Sequence, residues 1–219
     1  LGNSIDPLTM SEKYGADAVR YWAAGSKLGE DLEYQEKDIL TGKRLITKLL
    51  NASNFVFMNL KNYKPKKPKK LEKLDELFLT QIYWNTKKVT DYFLNYEYSR
   101  AKQETEEIFW KDFCDNYLEI VKWRVYNGNK QEKESAFYTL YTSLLTILKL
   151  IAPIMPFITE EIYQKYFRKY EKEKSIHLLG WPSEKLKPKN LDRLYWVISM
   201  FDIISKVRKL KSEENKSMK

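Results

Sequence analysis

Apolar residues recur at steps of three and four over most of this chain, and the recurrence divides it into a series of amphipathic helices. The pattern is strongest over 35–60, where Ile39, Ile46, Leu49, Leu50, Ser53, Val56, Phe57 and Leu60 keep helical phase. It returns over 72–94 through Leu74, Leu77, Phe78, Ile82, Val89 and Phe93. Over 97–126, Trp110, Phe113, Cys114, Tyr117, Val121 and Arg124 share one face. Residues 132–152 follow, stopped by Pro153 and Pro156. Pro156 suits the first turn of a further helix, roughly 156–170, with Glu160 and Glu161 near its positive end. A last amphipathic helix is predicted over 190–212.

The interruptions are equally informative. Pro7 opens a first helical turn, and residues 17–24 read as a short helix ending near Gly25. The segment KNYKPKKPKK, 61–70, cannot be helical and must be solvated, which makes it the clearest internal linker. Residues 171–187 read as irregular, with a short extended piece at SIHLL. No β-alternation of any length occurs. The expected architecture is therefore all-α: a bundle of about five long helices over 35–219, preceded by a small mixed or helical connecting segment, 1–34.

Composition sharpens this picture at a few points. The 219 residues can bury a real core, and 7 Gly with 7 Pro argue against a sheet-rich fold. The single Cys excludes an internal disulfide, and one Cys with one His excludes the usual Cys/His metal site. Counting leaves a Cys114–His177 pair open, but Cys114 lies in an apolar-aromatic run that favours a buried, inert thiol. Such cysteine usage fits an intracellular compartment. The most apolar stretch, Leu144 to Ile158, contains Lys149, Pro153 and Pro156 and is too short and interrupted to span a bilayer. The first residues show no signal peptide, and a start at Leu1 suggests a piece of something larger.

Charge changes the picture more. The 39 basic residues exceed the 30 acidic ones, a net +9, which suits a polyanionic partner as well as simple solubility. The 35–60 helix shows where such a partner could sit. Stepping about 100° per residue puts Leu45, Ile46, Leu49, Leu50, Ser53, Val56 and Phe57 in one arc. Lys37, Lys43, Arg44, Lys48, Asn51, Asn54 and Phe55 fall in the other. Four cations, two amides and one aromatic, without a carboxylate among them, are what an unpaired RNA loop requires. Cations meet phosphates, amides read base edges and an aromatic stacks on a splayed base. A solvated face with an incidental Phe is the plainer alternative. Lys122, Trp123 and the 61–70 linker are the reserve candidates for an RNA surface.

Four blocks of this sequence resemble one family. LGNSIDPLTMSEKYGADAVRYWAAGSKLG is similar to the segment that follows the mobile lysine-rich signature loop of class I aminoacyl-tRNA synthetases for Val, Ile and Leu. GKRLITKLLNASNFVFMNL resembles the first helix of their anticodon-binding domain, and FWKDFCDNYLEIVKWRVY a later helix of it. IAPIMPFITEEIYQKYF with SIHLLGWP resembles the stretch closing that bundle. The match covers nearly the whole chain in order. KLGEDLEYQEKDILTGKRLITKLLNASNF and SKVRKLKSEENKSM look most like the valyl branch, of the archaeal type, with isoleucyl and leucyl branches as the alternative. The sequence departs from its relatives at Leu50, where many have Trp, and at Asn54, where Arg is frequent.

The resemblance implies a tRNA-binding role: Asn51 and Phe55 match positions that contact the anticodon loop, and Lys37 matches a basic one. It implies a cytoplasmic, monomeric enzyme that charges tRNA(Val) using ATP with Mg, while this piece holds no cofactor and no catalytic residue. The lysines that act on ATP fall outside this chain, and no Gly-rich phosphate loop is present. Asp112 and Asp115 resemble a catalytic carboxylate pair but have no acid–base partner, so capping or ion pairing is expected of them. The rival from another class is a helical protein-interaction scaffold, which needs an exposed apolar patch; salt dependence of RNA binding discriminates the two.

Overall fold

The computed structural model describes residues 6–31, 34–60, 63–182 and 194–216. Among them every regular element is helical. Two short helices, α1 (Pro7–Tyr14) and α2 (Ala16–Ala23), precede α3 (Glu36–Asn59) and α4 (Lys73–Leu94). A continuous rod of α5 (Tyr98–Glu107), a π-helical segment (Ile108–Leu118) and α6 (Glu119–Asn127) follows. Next come α7 (Lys130–Ile151), α8 (Pro156–Ile162) with a π-helical continuation (Tyr163–Phe167), and α9 (Leu194–Glu213). The five expected long helices are thus α3, α4, the composite rod, α7 and α9. The expected start of the last helix near 190 and the first two linker residues lie outside the described residues.

Local chemistry sets several boundaries. Asp6 caps α1 by accepting from the Leu8 and Thr9 amides at 3.2 and 3.0 Å, with Pro7 in the first turn. Gly15, at φ +91°, turns the chain from α1 into α2 in a conformation that suits glycine. Asn129 and Glu132 form a reciprocal capping box at the start of α7.

Two expectations are corrected. The 97–126 rod is not uniformly α-helical: Ile108–Leu118 widens to a π-helix, within which the Asn116 side-chain amide donates to the Lys111 carbonyl at 3.0 Å. This segment packs against α4, α5, α7 and α9, so Phe109, Asp112, Phe113, Cys114, Asn116, Tyr117 and Leu118 are all buried, more than one narrow stripe supplies. SIHLL is not extended; Ile176–Leu178 is a 3-10 turn capped by the Ser175 hydroxyl.

The core runs between α3, α4, the rod and α7. Phe78 stacks on Tyr117 with centroids 4.1 Å apart, and Phe57 stacks on Tyr166 at 4.7 Å. Within it lies an ionic cluster. Asp75 of α4, with no exposed surface, accepts two bonds from Arg124 of α6 (2.7 and 2.6 Å), one from the Tyr117 hydroxyl (2.6 Å) and one from Ser135 of α7. The cluster ties three helices together at one point.

The first two helices are docked onto the bundle. A Cβ on Gly42 of α3 would lie 2.9 Å from Tyr21 and 3.1 Å from the Ala18 backbone, so glycine permits the close α2–α3 crossing. Arg20 donates to the Pro153 and Ile154 carbonyls. Asp17, buried, accepts from the Phe157 and Ile158 amides at 3.2 and 2.6 Å and so caps α8 from a distant part of the chain.

Candidate nucleic-acid interface

Helix α3 presents its two arcs as the periodicity predicts. Leu45, Leu49, Ser53, Val56 and Phe57 are buried, with Ile46 and Leu50 half-buried against the same core. Lys37, Lys43, Arg44 and Asn51 are exposed on the opposite side. The Tyr14 ring lies 5.9 Å from the Lys43 ammonium, and Arg44 donates to the Thr41 hydroxyl at 2.8 Å. These restraints hold the cations near the helix and leave them open to solvent.

Three candidate residues are more engaged than the helical phase suggested. Lys48 is half-buried, its ammonium 5.0 Å from the Trp110 ring. Asn54 sits at the border between the arcs, and its Oδ1 accepts from the Tyr166 hydroxyl, so the carbonyl half of this amide is turned inward. Phe55 is half-buried and packs against the edge of the core, with the Lys122 ammonium of α6 5.7 Å from its ring. Its expected position off the apolar arc is therefore amended to a rim position: the side chain packs against the core and stays partly exposed. The helical wheel could not show this because α6, remote in sequence, supplies the wall beside it.

Sequence reasoning missed other members of this face. Leu40 (42% exposed) and Met58 (70% exposed) lie in phase with Asn51, add apolar surface, and were visible at helical spacing. Glu36, at the first residue of α3, brings a carboxylate to the same side. That carboxylate accepts from the Tyr14 hydroxyl and pairs with Lys13 at 3.3 Å, and these bonds hold its pKa below the usual carboxylate range. The reserve candidates prove adjacent: Lys122 abuts Phe55, and next to it Trp123 is 62% exposed, with Tyr126 also exposed one turn on.

The remaining chemistry-bearing groups are quiet. Cys114 is buried, and burial pushes its thiol up to about 12, an inert state. His177 meets the Pro156 carbonyl at 3.3 Å. Asp112 neither caps a helix nor forms an ion pair within the described residues, contrary to expectation; it lies mid-rod and accepts from Asn85 at 3.4 Å. Burial pushes its carboxyl up to about 7. Asp115 is exposed, and its backbone carbonyl accepts from Arg208 of α9. No helix of the described residues is long and apolar enough to cross a membrane.

The helical fold recurs in solved proteins. The solved LeuRS of Agrobacterium radiobacter K84, in a ternary complex with tRNA and LeuAMS, superposes at a TM-score of 0.60 with 17% identity over 83% of this chain and 22% of that one. The free methionyl-tRNA synthetase of Mycobacterium tuberculosis gives 0.62 with 18% identity over 77% of this chain and 37% of its own. At these identities the likeness establishes the fold. In sequence, a valine–tRNA ligase of Wolbachia sp. subsp. Brugia malayi is 40% identical over 224 residues, and that of Anaplasma marginale 39% over 219. That of Rickettsia prowazekii is 41% identical over 231. Each match covers all of this chain but only 26–28% of the relative, so the chain spans about a quarter of the length of the curated relatives it matches. The family described as "Anticodon-binding domain of tRNA ligase" matches residues 75–219, and the α3 face lies before that stretch. With the helical bundle, these matches make the chain a member of the anticodon-binding domain family of tRNA ligases.

Proposed function

We propose that this chain is the tRNA-recognition portion of a valine–tRNA ligase, in which the outer face of α3 and the adjoining surface of α6 receive the anticodon loop of tRNA(Val). The observation that carries the reading is a face of α3 that exposes cations (Lys37, Lys43, Arg44) and an amide (Asn51) and includes a rim aromatic (Phe55), with Lys122 of α6 5.7 Å from that ring and its chain neighbour Trp123 exposed. Phosphates, base edges and splayed bases each find a matching partner on it. The near-40% identity to valine–tRNA ligases over the whole chain supports the choice of amino acid. In the whole enzyme, a cytoplasmic monomer, valine would be activated with ATP and Mg elsewhere. This piece contributes by holding the tRNA in register, which is catalysis by positioning. Lys48 and Asn54 serve mainly to set the edges of the face, since each is engaged within the chain.

The test is binding of anticodon stem-loops to the chain. Phe55→Ala should weaken binding by roughly 1–3 kcal/mol, the value of one base–aromatic stack. Asn51→Ala should narrow the difference between a valine anticodon loop and one with altered bases. Equal binding of both loops by the unaltered chain would defeat the reading.

A further inference from the structure

The lysine-rich segment after α3 is held in place at both ends, and the α3 face alone gives no reason for that. At its start, Tyr63 packs on Phe137 of α7 with centroids 5.5 Å apart. Its hydroxyl donates to the Lys66 carbonyl at 2.9 Å and accepts from the Lys66 amide at 3.3 Å. At its end, the Glu72 amide donates to the Ser135 hydroxyl at 2.8 Å, and Gln131 donates to the Glu72 carboxylate at 3.2 Å. Pro65 and Pro68 fix φ at two positions between. The five lysines of 64–70 are all exposed, and with Lys130 of α7 they line a groove of about 750 Å³. One acid, Glu134, also lines it, and none of the six lysines forms an ion pair among the described residues.

Six cations gathered without partners repel one another, and like charges are tolerated this close only where solvent or a polyanion screens them. A solvated loop would relieve that repulsion by spreading. This one is anchored, so its cations are already assembled for a row of phosphates. Side chains of α6 and the start of α7 stand between the groove and the α3 face. Lys122 touches Phe55, Tyr126 follows one turn later on α6, and the Tyr126 carbonyl accepts from Lys133 of α7 at 3.1 Å, beside Lys130.

We propose that residues 63–70, with the start of α7, form a second RNA-phosphate surface, so that one RNA runs from the α3 face across α6 into the lysine groove. The proposal deepens the function proposed above and rests on it for the identity of the RNA. It assigns the groove to backbone contact and leaves base reading to α3.

The experiment replaces Lys66, Lys67, Lys69 and Lys70 by Gln in the chain and measures tRNA affinity as a function of salt. Each lost phosphate contact lowers the slope of log affinity against log salt by about 0.7–0.9. The expected result is a slope shallower by about 1–3, with the ratio of affinities for tRNAs of matched and altered anticodon unchanged. A control removes the same charge elsewhere, at the exposed Lys165, Lys169, Lys172 and Lys174. An unchanged slope in the groove variant overturns the proposal. So does an equal change in the control, which would reduce the effect to net charge. Absence of anticodon discrimination by the unaltered chain counts against the α3 reading alone, because the slope comparison does not depend on it.

Discussion

Replacing Arg124 by Met tests whether the buried ionic cluster holds the bundle together. Methionine keeps the length of the aliphatic stem and removes the guanidinium. Asp75, with no exposed surface, then loses two charge-assisted bonds of 2.7 and 2.6 Å. Two such bonds at about 1.5–3 kcal/mol each set a range of about 3–6 kcal/mol. The Tyr117 and Ser135 hydroxyls remain as donors to the stranded carboxylate, which favours the lower end, about 3 kcal/mol. The double variant Asp75→Asn, Arg124→Met should recover most of this loss. It removes the buried charge while leaving a carbonyl for Tyr117, and a matched neutral replacement of a buried pair is often near neutral. The assay is the urea midpoint of the three proteins at constant m-value. A single variant that loses less than about 1 kcal/mol, or a double variant less stable than the single, would refute the assignment of this pair as the tie between α4, α6 and α7.

Two further predictions concern groups nearby. Phe57→Ala should cost roughly 3–5 kcal/mol, because the ring is 8% exposed and stacked on Tyr166, whereas Phe55→Ala at the rim should cost about 1 kcal/mol in thermal or urea unfolding. For Asp112, a folded carboxyl raised from 3.8 to about 7 binds an extra proton in the folded chain between those values. The stability it contributes is therefore present below pH 4 and lost as pH climbs through 7; Asp112→Asn should remove that loss and gain roughly 2–4 kcal/mol at pH 8 but little at pH 4, read as the change in urea midpoint between the two variants.

Periodicity alone placed the buried and open sides of α3, because one apolar stripe against one core is what a helical wheel describes. The same reasoning failed in the rod, where Ile108–Leu118 is surrounded by neighbours and a widened helix buries nearly every side. The ionic cluster left a trace in the sequence. Arg124 fell on the apolar face of its helix, and Asp75 sits three residues before Phe78 on the apolar face of α4. A cation and a carboxylate each stranded on a buried stripe call for one another. Two site details had no such trace. Phe55 at a rim and Asn54 bonded inward depend on Lys122 and Tyr166, which are far off in sequence and adjacent only after folding.

The cap that Asp17 places on α8 has a consequence for how the chain is built. Its carboxylate and the amides it holds are separated by 140 and 141 residues. A ribosome therefore releases the carboxylate long before the helix end that needs it, and the first residues of α8 emerge with their amides still facing water. The clasp cannot close before α8 itself has been made. Such distance is thermodynamically cheap, since doubling a loop raises its closure cost by only about 0.6 kcal/mol. Its effect falls instead on where the domain can be cut. A fragment starting at residue 75, where the family match begins, keeps most of the bundle's helices but loses α3, the crossing at Gly42 and the carboxylate that finishes α8. The packing that completes α8 therefore reaches back at least as far as α2.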